Sequence, residues 1–282
     1  MQTITTREEL RERLGEWRQA GDHVALVPTM GNLHEGHLSL VRLAREQAER
    51  VVVSIFVNPS QFEPGSDYAH YPRTLDLDKR RLKRARADLL FAPDVATVYP
   101  SGMETATRVT VPKLSEDLCG AFRPGHFDGV TSVVARLFGL VMPDVAVFGQ
   151  KDYQQQLLIR RMVDDLHWTV RIVTAPTERD DDGLACSSRN QYLTDSERRI
   201  APELYRELER IALELESGNR HYAELESGAM TALSDKGFAP EYVSIRRAEN
   251  LDRPDRDTDE LVVLAAAWLG KARLIDNVRV HI

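Results

Sequence analysis

Val24-Ala25-Leu26-Val27-Pro28-Thr29-Met30-Gly31-Asn32-Leu33-His34-Glu35-Gly36-His37 is the stretch on which the fold turns. Four apolar residues in a row, Val24 to Val27, read as a short buried strand, and Leu38 to Glu49 carries helical spacing through Leu40, Val41 and Ala44. Between them lies a glycine-punctuated turn with two histidines at i and i+3. A turn from a buried strand into a helix sits at the crevice where open α/β sheets bind ligands. The N-terminus of the following helix presents unpaired N–H groups and a partial positive charge. Gly31 and Gly36 add room for close approach to the backbone.

Outward from this unit the alternation continues. Thr6 and Glu9 form a capping box before Leu10, Leu14 and Trp17, with Gly21 as a stop. Val51–Val57 is a second buried strand. A charged helix from about Thr74 to Arg86 follows, then strand Leu89–Ala92, a helix near Val130–Val141, strand Val145–Phe148, helix Gln154–Leu166 and strand Val170–Val173. Alternating strands and helices predict a Rossmann-like, doubly wound parallel sheet over residues 1–176. Beyond Pro176 the texture changes. A long helix capped at Thr194 presents Ile200, Leu204, Leu208 and Ile211 on one face, and Tyr242–Ile245, Leu261–Leu264 and Leu274–Val280 read as strands. A smaller α+β domain over 177–282, closing over the active site, is the expectation.

The 282 residues are 42% hydrophobic and 29% charged, with a formal charge of -7. That balance offers no clustered cations for a nucleic-acid backbone. No apolar run approaches the roughly 20 residues of a membrane span, and Met1–Leu10 is polar. Cys119 and Cys186 are too few for a disulfide framework and form no C-x-x-C pair. These features lead to the expectation of a cytoplasmic protein.

For the two histidines of H-x-G-H, three readings stand: donors to a phosphate, parts of a structural turn, or two ligands of a zinc site that no nearby Cys or acidic motif completes. Phosphate binding is favoured. The motif resembles the signature of the nucleotidylyltransferase superfamily, and the wider string P-T-M-G-x-L-H-x-G-H resembles the pantothenate synthetase (pantoate-beta-alanine ligase) family. Further blocks carry the same resemblance in order: Val57-Asn58-Pro59-Ser60-Gln61-Phe62, Tyr71-Pro72-Arg73-Thr74, Arg123-Pro124-Gly125-His126-Phe127, Phe148-Gly149-Gln150-Lys151-Asp152-Tyr153-Gln154-Gln155 and Cys186-Ser187-Ser188-Arg189-Asn190. Taken singly, several also read as an Asn-Pro turn, a packed histidine or a solvated loop.

The resemblance implies an ATP-dependent, AMP-forming ligase that joins pantoate to beta-alanine through a pantoyl-adenylate. It implies that Pro28, Thr29, Met30, Gly31, His34, His37, Phe148, Gly149, Lys151, Asp152, Ser187, Ser188 and Arg189 bind ATP. Of these, His34, His37, Lys151, Ser187, Ser188 and Arg189 are the catalytic group. Met30, Asn58, Gln61, His126 and Gln155 would face pantoate. Magnesium is the implied cofactor, with Asp78 offered as its neighbour; acids opposing a helix dipole are the alternative for that position. A homodimer is implied as well. Two other functions compete: a nucleotidylyltransferase that keeps the nucleotide on its product, and a non-catalytic ATP-binding module on the same fold.

Overall fold

A computed structural model describes residues 1–62, 68, 71–255 and 257–282. Its contacts divide the chain into two compact units, Met1–Gly149 with Leu158–Ala175, and Gln150–Leu157 with Pro176–Ile282. The division expected from sequence at 176 leaves Gln150–Leu157 with the first domain, whereas these residues cluster with the second.

The first unit holds strands β1 (Gln2–Ile4), β2 (Val24–Thr29), β3 (Arg50–Ile55), β4 (Leu89–Phe91), β5 (Val145–Gly149) and β6 (Arg171–Ala175). They form one parallel sheet in the order β1-β4-β3-β2-β5-β6. The helices are α1 (Arg7–Gln19), α2 (Glu35–Gln47), α3 (Leu75–Arg84), the short α4 (Val95–Val98) and α5 (Cys119–Phe122), and α6 (His126–Val141). The helix α7 (Tyr153–Asp165) begins in the residues assigned to the second unit and ends in the first. The doubly wound, Rossmann-like reading holds.

Interior parallel strands are covered on both faces, which is why β2 and β3 are continuous apolar runs and not alternating ones. Ala25 and Val27 join Val51 and Val53 in a core with Leu40, Val41 and Ala44 of α2 and Leu82 of α3. Val24 and Leu26, equally buried, point to the opposite face, as the two-residue period requires. From β2 the chain goes to β3 on one side, while β5 flanks β2 on the other. That reversal creates a crevice at the carboxyl ends of β2 and β5.

The second unit has α8 (Asp195–Ile200), α9 (Glu203–Glu216) and α10 (Tyr222–Asp235) with an antiparallel sheet of β7 (Ala239–Arg247), β8 (Glu260–Leu269) and β9 (Ala272–His281), β8 in the middle. The expected single helix from Thr194 is two. Thr194 does cap α8 reciprocally with Glu197, but Pro202 has no N–H to continue the ladder, and α9 starts after it. Leu204, Leu208 and Ile211 still share one core with Leu261, Val263 and Ala265. Four of these strands and helices were not foreseen, the four-residue α4 and α5 among them. The other two are β1, three residues long and made by pairing with β4, and α10, whose buried side chains are only Leu225, Ala229 and Leu233. No helix among the described residues is long and apolar enough to cross a membrane.

Candidate active site

The turn after β2 is built by constraints that only its own residues meet. Gly31 has φ +83°, and a Cβ there would lie 3.0 Å from Ile55 Cγ2 and 3.3 Å from Asp78 Oδ2. Asn32 follows at φ 49°, also left-handed, where Asn is among the better-tolerated residues. The Thr29 hydroxyl donates to Ser54 O (2.8 Å) and accepts the Gly31 N–H (3.2 Å), tying the turn to β3.

Asp78 completes the scaffold. Its carboxylate accepts the N–H groups of Asn32 (3.0 Å) and Leu33 (2.9 Å) and the Thr74 hydroxyl (3.1 Å), and the residue is fully buried. Arg81, three residues further along α3, donates to the Leu33 carbonyl. Asp78, offered from sequence as a metal neighbour, is an anchor of the turn here: both oxygens are engaged by it, and the residue is buried. No cluster of three or more His, Cys, Asp or Glu suited to a metal occurs among the described residues.

His34 caps α2, and His37 lies one turn into it. The His34 N–H donates to His37 Nδ1 at 3.3 Å, and the two rings lie 4.0 Å apart. A nitrogen that accepts an N–H carries no proton, so in the neutral ring the proton of His37 sits on Nε2, which becomes a donor. At the neighbouring strand end, Phe148 is buried and Gly149 half-buried. A Cβ at Gly149 would meet only Leu40 Cδ2, at 3.9 Å, so the fold itself leaves space there.

Gln61 lies in the short 3-10 turn Pro59–Gln61 and donates to Met30 Sδ at 2.9 Å. Two further residues expected to face the organic acid, Asn58 and His126, bond to this glutamine. Asn58 is 1% exposed. Its amide accepts from Tyr99 Oη (2.8 Å) and Ser60 Oγ (3.0 Å) and donates to Gly129 O (3.1 Å) and Gln61 Oε1 (3.2 Å), which uses up its bonding capacity. His126 Nδ1 bonds to Gln61 O (2.8 Å), while its Nε2 meets Arg123 Nη1 at 3.0 Å. Gly129 allows the close approach, since a Cβ would sit 2.3 Å from Ser60 O. Beside this turn a cavity of about 400 Å³ is lined by Gln61, Tyr99, Arg108, His126 and Arg136, among others.

The remaining expected site residues belong to the second unit. Lys151 and Asp152 occupy the 3-10 turn Gln150–Asp152, their charged ends 3.8 Å apart, with Gln155 half-buried in the first turn of α7. Ser187, Ser188 and Arg189 form another tight turn, in which Ser187 Oγ accepts the Arg189 N–H at 3.2 Å. Lys151 and Ser187 line one cavity of about 10 Å³ together with Tyr205 and Asp276. Asp276 is buried and receives both Nη1 and Nη2 of Arg179, at 2.6 and 2.9 Å. Burial pushes its carboxyl upward, and the Arg179 guanidinium opposes that push. Sequence reading did not single out Asp78 as an anchor, nor Arg179, Asp276 or Asn277. Single residues spaced 45 to 127 positions from what they hold leave no local pattern.

A doubly wound sheet whose switch point carries a helix N-terminus and two histidines defines the class as a nucleotide-binding α/β enzyme. The sequence profile of pantoate-beta-alanine ligase matches residues 2–279. Pantothenate synthetases of Thioalkalivibrio sulfidiphilus and Ectopseudomonas mendocina are 54% and 53% identical, each alignment covering 100% of this chain and 99% of the relative. The crystal structure of pantothenate synthetase from Thermus thermophilus superposes with a TM-score of 0.93 at 46% identity, covering 100% of both chains. That of a Francisella tularensis pantoate-beta-alanine ligase, described as complexed with beta-gamma ATP and beta-alanine, gives 0.82 at 31% identity over 99% of this chain and 97% of that one. This chain belongs to the pantoate-beta-alanine ligase family and is a ligase.

Proposed function

We propose that the chain makes pantothenate in two steps. The carboxylate of pantoate attacks the α-phosphorus of ATP, forming pantoyl-adenylate and expelling pyrophosphate. The amine of beta-alanine then attacks the acyl carbon, forming the amide and releasing AMP and a proton. No protein nucleophile is required. The obstacle in the first step is bringing an anionic carboxylate to a polyanionic triphosphate, so catalysis falls to positioning and preorganised positive potential.

The observation that carries this reading is the bond from His34 N–H to His37 Nδ1, which leaves an Nε2–H donor beside the helix N-terminus at the carboxyl end of β2. In this reading the turn Pro28–Gly31 with His34 and His37 receives phosphates, and Phe148 and Gly149 receive the nucleoside. Lys151, Ser187, Ser188 and Arg189 grip the departing pyrophosphate, and Asp152 the ribose. Gln61, Gln155 and Met30 meet pantoate, Gln61 being held for it by Asn58 and His126. The ligands named for the Francisella relative support ATP and beta-alanine as substrates.

Magnesium enters with ATP, held by the phosphates and its own waters, as this ion commonly is. The buried, fully engaged Asp78 does not fit as its ligand. A homodimer in the cytoplasm completes the reading.

The test is exchange of labelled pyrophosphate into ATP. Exchange should require pantoate, and AMP should appear only once beta-alanine is added. A product that keeps its AMP would instead mark a nucleotidylyltransferase, and ATP binding without exchange a non-catalytic module.

A further inference from the structure

Asn277, on β9, is buried at 2% exposure and donates through one amide nitrogen to two successive carbonyls, Gln150 O and Lys151 O, each at 2.9 Å. Its Oδ1, also buried, meets no hydrogen-bond donor among the described residues. The side chain therefore bears the cost of an unsatisfied acceptor, and what it gains is the hold on those two carbonyls. They belong to the turn that carries Lys151, which Tyr153 steadies from its other end by donating to Ala248 O at 2.7 Å.

Its neighbour Asp276 grips the other segment. The two carboxylate oxygens take the fork of Arg179, and Oδ1 also accepts the N–H of Asn277 at 2.7 Å. The Arg179 guanidinium lies over the Tyr205 ring, 3.5 Å from its centroid, and donates to Gly183 O. Arg179 pairs with Ala185 across an antiparallel bridge, and the Cys186 N–H donates to Glu178 O at 2.9 Å. Asn190 closes the next turn by donating to Ala185 O at 3.1 Å. Ser187, Ser188 and Arg189 thus leave a segment whose geometry is fixed at Arg179, by the strand residue adjacent to the one that fixes Lys151.

We propose that the Asp276–Asn277 pair is the positioning element of this ligase's phosphate grip, Asn277 setting the Lys151 turn and Asp276, through Arg179, setting the segment that leads into Ser187. The two cation-bearing turns then keep one fixed spacing on one sheet, preorganised before ATP arrives. Both act through other residues, Asn277 through the Lys151 turn and Asp276 through Arg179. The inference rests on the roles proposed above for Lys151 and the Ser187 turn, and its test separates the two.

Hydrogen exchange followed by mass spectrometry decides the positioning directly. Asn277→Ala should speed exchange in the peptide spanning 150–155 and leave α2 unchanged, and Asp276→Asn should speed it in 178–190. Unchanged exchange at both places overturns the proposal. Should Asn277→Ala not fold, Asn277→Asp keeps the volume, removes the donor and should give the same signature. A double-mutant cycle in the pyrophosphate exchange assay decides the consequence. Asn277→Ala should cost about 10- to 100-fold in turnover, the scale of a small misplacement, with little change in the pantoate KM. In a Lys151→Ala background it should cost less than about 3-fold more. An equal loss in both backgrounds would mean Asn277 does not act through Lys151. Undiminished activity of Lys151→Ala alone would remove the role of Lys151, while the hydrogen-exchange arm still decides the positioning.

Discussion

His37 receives the backbone N–H of His34 at Nδ1 and so presents its proton at Nε2. The bond makes the first turn of α2 the determinant of which ring nitrogen can donate. His37→Ala removes the donor, and the expected loss is ~10²- to 10³-fold in pantoate-dependent pyrophosphate exchange, as for other preorganised donors to developing negative charge. Near-normal exchange at saturating substrates would take His37 out of the phosphate site.

Asp78 accepts two backbone N–H groups of the same turn. Asp78→Ala removes the carboxylate that accepts from both N–H groups, the Leu33 one buried, so destabilisation of about 2 to 4 kcal/mol is expected, measured by denaturant unfolding. Activity should fall with it. Raised magnesium should not restore that activity, because an anchor is lost and not a ligand; recovery in high magnesium would return the residue to the metal site.

Gly129 lies against the Pro59–Gln61 turn. Gly129→Ala places a methyl group 2.3 Å from Ser60 O, which one of the two backbones must relieve by moving. Overpacking of this kind costs about 1 to 3 kcal/mol. Because Gln61 is the next residue, the pantoate KM should rise more than the ATP KM. Equal changes in both would mean that the shift does not reach Gln61.

Lys236 links α10 to α9, its ammonium 2.5 Å from Glu203 and 3.1 Å from Glu207. The bond to Lys236 holds the Glu203 carboxyl below its ordinary value. For Glu207 burial pushes upward, but Arg210 and Lys236 together outweigh it, and Lys236 in turn is raised, chiefly by Glu203. Near their unfolded pKa of about 4.3 these carboxyls bind fewer protons folded than unfolded. Their contribution is present above that pH and lost as pH falls through the folded values. The contribution of Lys236 is present below its unfolded value and lost only in strong alkali. Lys236→Met should cost less than about 1 kcal/mol at neutral pH, since the pair is partly exposed. It should also flatten the fall of Tm between about pH 5 and 3; an unchanged acid limb would show the pair to be inert.

The parallel sheet was legible because burial on both faces writes itself as unbroken apolar runs, as in Val24–Val27 and Val51–Val53. The H-x-G-H turn and the block around Lys151 were legible because chemistry concentrated in consecutive residues leaves a string. What escaped is what acts at a distance. Asn58 and His126 belong to recognisable strings, yet the direction of their side chains is set by Tyr99, Gly129 and Arg123. Asn277 sits in a strand with nothing around it to announce its bonds to Gln150 and Lys151. The break between α8 and α9 could have been read at Pro202, but the apolar period continues through it.

Gln150–Leu157 leaves the last residue of β5 and joins the compact unit formed by the C-terminal third of the chain. The polypeptide therefore crosses between the units three times, and no single cut yields two intact pieces. A fragment ending at 176 would carry Lys151 without the strand that seats it, and one starting at 177 would carry the seat without the lysine. Mixing the two should regain activity only to the extent that the halves reassociate, and swapping C-terminal halves between relatives should work only when residues 150–157 travel with them.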